Sequence, residues 1–176
     1  SLMNWQSSNW PLRNVQPSLT TTASRDGTIA TIWPQWPSIA KAFQSLLGQA
    51  SKDPAFIAEA LTLPTAAYIA EQVDVVDAAA ILQVRTALRR HLAQALASDF
   101  ERLYRELEVT GPDSTSAKHS GQRALRNQCL GYLMELDRAD IRTLAMKQLR
   151  TSATMTDALA ALGALANDAS PERTEA

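Results

Sequence analysis

The stretch that decides the fold reads Ile81-Leu-Gln-Val-Arg-Thr-Ala-Leu-Arg-Arg-His-Leu-Ala-Gln-Ala-Leu-Ala-Ser-Asp-Phe-Glu-Arg-Leu-Tyr-Arg-Glu-Leu107. Its apolar residues recur at spacings of three and four, which is the period of one face of an α-helix. They are Ile81, Val84, Leu88, Leu92, Ala95, Leu96, Phe100, Leu103 and Leu107. The pattern predicts one continuous helix from about Asp77 to Glu108, with Asp74 or Asp77 as its N-cap and one stripe buried.

Helical patterns continue on both sides of this stretch. A second long helix is predicted over about Thr115 to Leu136, with Leu125, Cys129 and Leu133 on its buried face. Shorter helices are predicted over 38–47, from Asp53-Pro54 to about Leu61, from Thr62-Leu-Pro64 to about Gln72, after a cap at Asp137, and over about 154–167. The predicted fold class is all-α, with antiparallel helical hairpins stacked as an α-solenoid, although no sequence period repeats.

The composition divides the chain into three parts. Residues 1–36 lack helical periodicity and are predicted to form an irregular or extended arm, in which Ser1-Leu2 are an expression remnant before Met3. Thr28-Ile-Ala-Thr-Ile-Trp33 suits a short strand or an arm, and the arm is favoured because an isolated hairpin is barely stable in water. Residues 37–169 form the helical-repeat domain, and 170–176 a frayed, charged tail.

The overall charge argues against several classes of binding partner. The chain has 176 residues, 45% of them hydrophobic and 20% charged, with a formal net charge of -1, which is ordinary for a soluble globular protein. Nucleic acids and anionic membranes attract domains with a basic excess, so neither is an expected partner. Because a long apolar run and a signal peptide are both lacking, the sequence predicts a cytoplasmic location.

The sequence carries no recognisable catalytic or metal-binding motif. His91 and His119 fall on different predicted helices without a second histidine nearby, and both are interpreted as exposed surface residues. The single cysteine, Cys129, occupies an apolar helical position and is predicted to be a small buried residue. Glu135, Asp137 and Asp140 could form paired carboxylates, but capping and the helix dipole explain them better. We therefore predict no catalytic, cofactor-binding or metal-binding residue.

A basic cluster without an intervening acidic residue comprises Lys118, Arg123 and Arg126. Arg123 and Arg126 are three residues apart, so they share a face of the predicted helix. Such a pair can hold carboxylates of a neighbouring domain or of a peptide, and a solvated helix face explains the pattern equally simply. These residues are the candidate interdomain contact.

Four segments, in the same order, resemble the helical C-terminal domain of the bacterial aminopeptidase N family of zinc exopeptidases. They are Asp53-Pro-Ala-Phe-Ile-Ala-Glu-Ala-Leu-Thr-Leu-Pro64, Val84-Arg-Thr-Ala-Leu88, Arg123-Ala-Leu-Arg-Asn-Gln-Cys-Leu130 and Met155-Thr-Asp-Ala-Leu-Ala-Ala-Leu162. The resemblance covers about Pro37 to Ala166. It implies a superhelical domain that caps the catalytic domain and closes a chamber over the active site.

The same resemblance implies what the chain lacks. The family's H-E-x-x-H zinc signature and G-A-M-E-N substrate motif have no matching positions, so the resemblance implies a non-catalytic piece of a zinc enzyme. Its implied partners are the parent's catalytic domain and peptide substrate. The stretch before Pro37 departs from the family, and the chain stops midway through the family's domain, as an excised fragment or truncated product would. An independent helical-repeat module that binds a protein or peptide is the alternative.

Overall fold

A computed structural model describes residues 36–73, 75–109 and 115–175, without the side chains of Lys118 and Glu175. In these ranges the α-helices are α1 (Trp36–Leu47), α2 (Pro54–Ala60), α3 (Ala66–Ala70), α4 (Ala78–Ala95), α5 (Ala97–Glu106), α6 (Ser120–Leu133), α7 (Ala139–Thr151), α8 (Met155–Ala166) and α9 (Glu172–Glu175). Short 3-10 turns, Ala117–His119 and Met134–Leu136, flank α6. The described residues hold no strand, which confirms the all-α prediction. The arm predicted for 1–36 lies outside them except for its last residue, Trp36, which begins α1.

The described residues divide into two compact units. The larger unit comprises Ser38–Leu63 and the described part of residues 87–175, and the smaller comprises the described part of residues 64–86 together with residues 36 and 37. No described helix is both long and apolar enough to cross a lipid bilayer.

The core of the larger unit surrounds α6, which packs against α2, α5 and α8. Tyr132 of α6 stacks on Phe100 with ring centroids 4.8 Å apart and meets the edge of Phe43 at 6.2 Å. Its hydroxyl donates to the Leu61 carbonyl at 2.7 Å, so a buried polar group is satisfied. The predicted core residues Leu92, Leu96, Leu103, Leu125, Cys129 and Leu133 are buried, and Leu88 packs half-buried against them.

The predicted continuous helix from Asp77 to Glu108 is wrong, because α4 and α5 are separated at Leu96. This residue has φ -119° and ψ 18°, outside the helical region, although its amide still donates to the Leu92 carbonyl. Leu92, Leu96 and Phe100 are all buried in the same core. The periodicity therefore persists across the break, and no proline or glycine marks it.

The helix starts confirm two predicted N-caps and correct a third. Asp53 and Asp77 accept from the amides of Phe56 and Ala80, as expected of N-caps. The cap of α3 is Thr65 rather than Thr62, because the Thr65 hydroxyl accepts from the Tyr68 amide at 3.1 Å and the helix begins two residues after Pro64.

Asp137 does not cap α7, contrary to the sequence prediction. It adopts φ 53° and ends the preceding 3-10 turn, while its carboxylate lies 2.6 Å from Arg142. Where a frayed tail is predicted from Ser170, the structure has the short helix α9. The tail approaches the same arginine, with Glu172 3.7 Å from Arg142.

Candidate interdomain surface and the polar network around Gln148

The predicted interdomain residues lie at the start and along the length of α6. Lys118 belongs to the 3-10 turn before α6, and its side chain is outside the described part of the chain. Arg123 is half-buried, and its guanidinium donates to the Ser116 carbonyl at 3.0 Å. Arg126 follows one turn later on the same helix. An interdomain contact by these residues stays a prediction.

The guanidinium of Arg126 contacts groups of this same chain. Its side chain is 14% exposed, with Nε donating to the Tyr104 carbonyl at 3.1 Å and Nη1 to Gln148 Oε1 at 3.0 Å. Nη2 lies 3.5 Å from a Glu108 carboxylate oxygen. The guanidinium also stands 4.3 Å from the centre of the Tyr104 ring, a cation–π geometry. This arginine therefore joins α6 to α5.

Burial around Arg126 alters the chemistry of Tyr104. Desolvation raises the pKa of the Tyr104 phenol, and the positive charge of Arg126 opposes this in part. The phenol therefore stays protonated at neutral pH and can donate a hydrogen bond.

Gln148 of α7 receives that hydrogen bond at the centre of a buried network. Its side chain is 4% exposed, and its oxygen accepts from the Tyr104 hydroxyl at 2.9 Å and from Arg126. Its nitrogen donates to Asn127 Oδ1 at 2.8 Å and to the Asp157 carbonyl at 3.0 Å. One amide thus satisfies groups from α5, α6 and α8, as a buried polar side chain must.

The network ends at the cap of α8. Asn127 donates to Asp157 Oδ1 at 2.8 Å, and the Thr154 hydroxyl donates to Asp157 Oδ2 at 2.7 Å. The Asp157 amide in turn donates to Thr154 Oγ1 at 3.2 Å, which makes Thr154 the N-cap. A carboxylate in the first turn is also favoured by the helix dipole.

Sequence reasoning missed Gln148. It lies between the apolar positions of α7, next to Leu149 and three residues after Ala145. The sequence gives one sign of this network, a glutamine among apolar positions. A buried glutamine amide requires several hydrogen-bond partners.

The candidate paired carboxylates are held apart by separate arginines. Glu135 lies 2.8 Å from Arg89, Asp137 lies 2.6 Å from Arg142, and Asp140 lies 2.6 Å from Arg138. The hydrogen bond from Arg138 holds the pKa of Asp140 below its usual value. Shared protonation between two carboxylates requires them to face each other, and here each faces a cation.

The remaining titratable residues are dispersed. His119 Nδ1 contacts Gln122 Oε1 within the first turn of α6, and His91 is half-buried on α4. Cys129 is fully buried, and desolvation raises its pKa to about 12. Among the side chains that the structure describes, no three His, Cys, Asp or Glu residues gather as metal ligands.

These helices match a known family along most of the chain. The family model described as a domain of unknown function (DUF3458_C) with ARM repeats matches residues 16–176. The chain belongs to this ARM-repeat family. The match supports the stacked helical hairpins predicted from the sequence.

Relatives of this ARM-repeat chain include much longer proteins. It is 40% identical over 128 residues to aminopeptidase N of Escherichia coli strain K12, a match that covers 72% of the chain and 14% of the relative. It is 32% identical over 124 residues to aminopeptidase N of Caulobacter vibrioides, covering 68% and 14%. The matched part of the curated relatives is thus about a seventh of their length, and the predicted resemblance to the C-terminal helical part of aminopeptidase N is confirmed.

A solved structure shares the same arrangement. The crystal structure of Legionella pneumophila aminopeptidase A in complex with aspartic acid superposes with a TM-score of 0.63 at 26% identity. The superposition covers 73% of this chain and 16% of the Legionella protein.

Proposed function

We propose that this ARM-repeat chain is a non-catalytic segment of an aminopeptidase N-type enzyme that removes amino acids from peptide N-termini. Its helices cap the chamber over the parent's active site and restrict access to short or unfolded peptides. The similarity to aminopeptidase N of Escherichia coli, 40% identity over 128 residues, carries the proposal.

The polar network supports a structural role for the residues that carry the resemblance. Arg126, Asn127 and Asp157 lie in the two most recognisable segments, and each makes hydrogen bonds to other helices of this chain. A catalytic constellation instead requires polar groups that converge on a cleft where substrate can bind. These three residues fix the positions of α6, α7 and α8.

The described residues do not fit a zinc site, because no ligand set of His, Cys, Asp or Glu side chains gathers among them. In enzymes of this class zinc lowers the pKa of a bound water and polarises the substrate carbonyl. We propose that any zinc is held by another part of the parent protein. The role assigned to this chain is therefore geometric.

The experiment compares the isolated chain with its parent. We expect the purified chain to bind no stoichiometric zinc and to hydrolyse no aminoacyl amide, whereas metal-dependent turnover would contradict the non-catalytic role. The parent without this segment should accept longer and folded peptides, and undiminished size selectivity would contradict the capping role.

The gene sequence separates this proposal from an independent helical-repeat binding module. An H-E-x-x-H motif upstream in the same reading frame is expected for a segment of an aminopeptidase. A short open reading frame without that motif would favour the independent module.

A further inference from the structure

The segment that follows α8, residues 168–175, turns polar side chains toward the protein. Its half-buried described residues are all polar: Asp168, Ser170 and Glu172. The residues between them, Ala169 and Pro171, are exposed. No described residue after Leu165 belongs to the hydrophobic core. Polar contacts rather than apolar burial therefore hold this segment in place.

The side chain of Arg142 on α7 contacts both carboxylates of this segment. Its Nη1 lies 3.5 Å from Asp168 Oδ2, and its Nε lies 3.7 Å from Glu172 Oε2. Asp137, which precedes α7, lies 2.6 Å from Nη1 and helps to hold the guanidinium in position. The side chains of Arg142 and Asp168 are only 15% and 14% exposed, so salt screens their attraction less than that of a fully exposed pair.

This contact leaves polar atoms unsatisfied. Three buried side-chain atoms have no hydrogen-bond partner among the described residues: Arg142 Nε, Ser170 Oγ and Glu172 Oε2. The 3.7 Å between Arg142 Nε and Glu172 Oε2 is too long for a hydrogen bond. Buried polar atoms without partners cost free energy, and water satisfies them when the segment opens. The ion pairs therefore favour the closed segment, and the unsatisfied atoms oppose it.

We propose that residues 168–175 form a strap that Arg142 holds against α7, and that this strap opens by itself while α7 and α8 stay folded. The strap buries no large apolar side chain, so opening it costs less free energy than opening the core. Rising ionic strength favours the open strap, because salt screens ion pairs and leaves apolar packing in place. The end of α8 thus carries a salt-sensitive conformational device.

Maleimide labelling of an introduced thiol in the full chain measures the opening of the strap. Ser170→Cys replaces a buried hydroxyl, and Ala169→Cys places a thiol at the exposed neighbouring position as the matched control. The native Cys129 is fully buried, so its labelling reports opening of the core instead. We expect Ser170→Cys to react about tenfold more slowly than Ala169→Cys at about 0.1 M salt, because the strap must open first. Equal rates would overturn the proposal.

Removing the arginine should open the strap without opening the core. Adding Arg142→Gln should raise the labelling rate of Ser170→Cys about tenfold, to that of Ala169→Cys, and leave Cys129 unlabelled. Loss of a nearby cation makes a thiol less acidic and therefore slower to react, so a faster reaction reports exposure. An unchanged Ser170→Cys rate would overturn the proposal. So would labelling of Cys129 at the same rate, because the strap and the core would then open together.

A second arginine and a salt series test the same contact. Arg138→Gln is the control substitution, because Arg138 forms ion pairs with Glu101 and Asp140. It should leave Ser170→Cys slow to react, and fast labelling would overturn the assigned role of one particular arginine. With both arginines present, raising salt from about 0.1 M to about 1 M should accelerate Ser170→Cys several-fold and leave the control thiol unchanged. A rate that does not depend on salt would overturn the proposal.

Discussion

The side-chain nitrogen of Gln148 lies 2.8 Å from the side-chain oxygen of Asn127, and this hydrogen bond joins α7 to α6 inside the core. It also sets the orientation of the Gln148 amide, because the nitrogen must face Asn127 while the oxygen faces Tyr104. Reversing either amide would place donor against donor or acceptor against acceptor. The network therefore accepts one arrangement of the four helices that it joins.

Replacing Gln148 by Ala should destabilise the chain strongly. The substitution leaves Tyr104, Arg126 and Asn127 without their shared partner in a buried site, which costs about 2–4 kcal/mol. Urea unfolding followed by circular dichroism measures the change. Gln49→Ala is the control, since this exposed glutamine should change the free energy of unfolding by less than about 0.5 kcal/mol. Similar changes in the free energy of unfolding for the two variants would show that the network does not stabilise the fold.

Two glycine substitutions should have opposite effects. A Cβ at Gly121 would lie 2.9 Å from Ala55 Cβ and from the Ala55 amide nitrogen, so Gly121→Ala forces α6 away from α2 at a cost of about 1–3 kcal/mol. At Gly163 on α8 a Cβ meets nothing within 4 Å. Gly163→Ala should therefore stabilise the helix by up to about 1 kcal/mol. Thermal unfolding of both variants checks the sign of each change.

Leu92→Ala tests the buried stripe of α4. Leu92 is fully buried, so the lost packing and the cavity should cost about 2–5 kcal/mol. The exposed Leu159 on α8 provides the same substitution without a cavity, and its cost should stay below about 0.5 kcal/mol. Denaturant midpoints that barely differ between the two variants would place Leu92 outside the core.

The free energy of unfolding should fall at alkaline pH because of Cys129. Burial raises its pKa from 9.0 to about 12, so the thiol binds its proton more tightly in the folded chain than in the unfolded chain. The stabilisation is complete below pH 9 and is lost as the pH rises toward 12, at about 1.4 kcal/mol per pH unit. Urea unfolding at pH 8 and pH 10 measures the loss. Cys129→Ala should reduce it, and an unchanged loss would assign the alkaline effect to other groups, such as Tyr104.

Most of the fold could be predicted from apolar spacing and capping residues. Sequence patterns correctly predict the N-caps Asp53 and Asp77 and the apolar face of α6. Capping and helical spacing both depend on neighbours within about one helix turn. The break at Leu96 could not be predicted, because it follows from packing between distant elements and leaves the three-and-four spacing intact.

Only part of the candidate interdomain contact could be predicted from the sequence. A basic pair such as Arg123 and Arg126 has the same spacing whether it faces solvent, another domain or its own core. The partners of Arg126 lie 22 residues away in both directions, at Tyr104 and Gln148. Pairings at that separation depend on the tertiary fold, so local patterns do not reveal them.

The left-handed backbone at Asp137, with φ 53°, restricts what can replace this residue. Asparagine and glycine accept that conformation, and β-branched side chains do not. Only an acid of the same length also keeps the 2.6 Å ion pair with Arg142. Among natural variants of this domain, substitutions at this position should therefore be confined to asparagine and glycine, and should occur together with changes at Arg142.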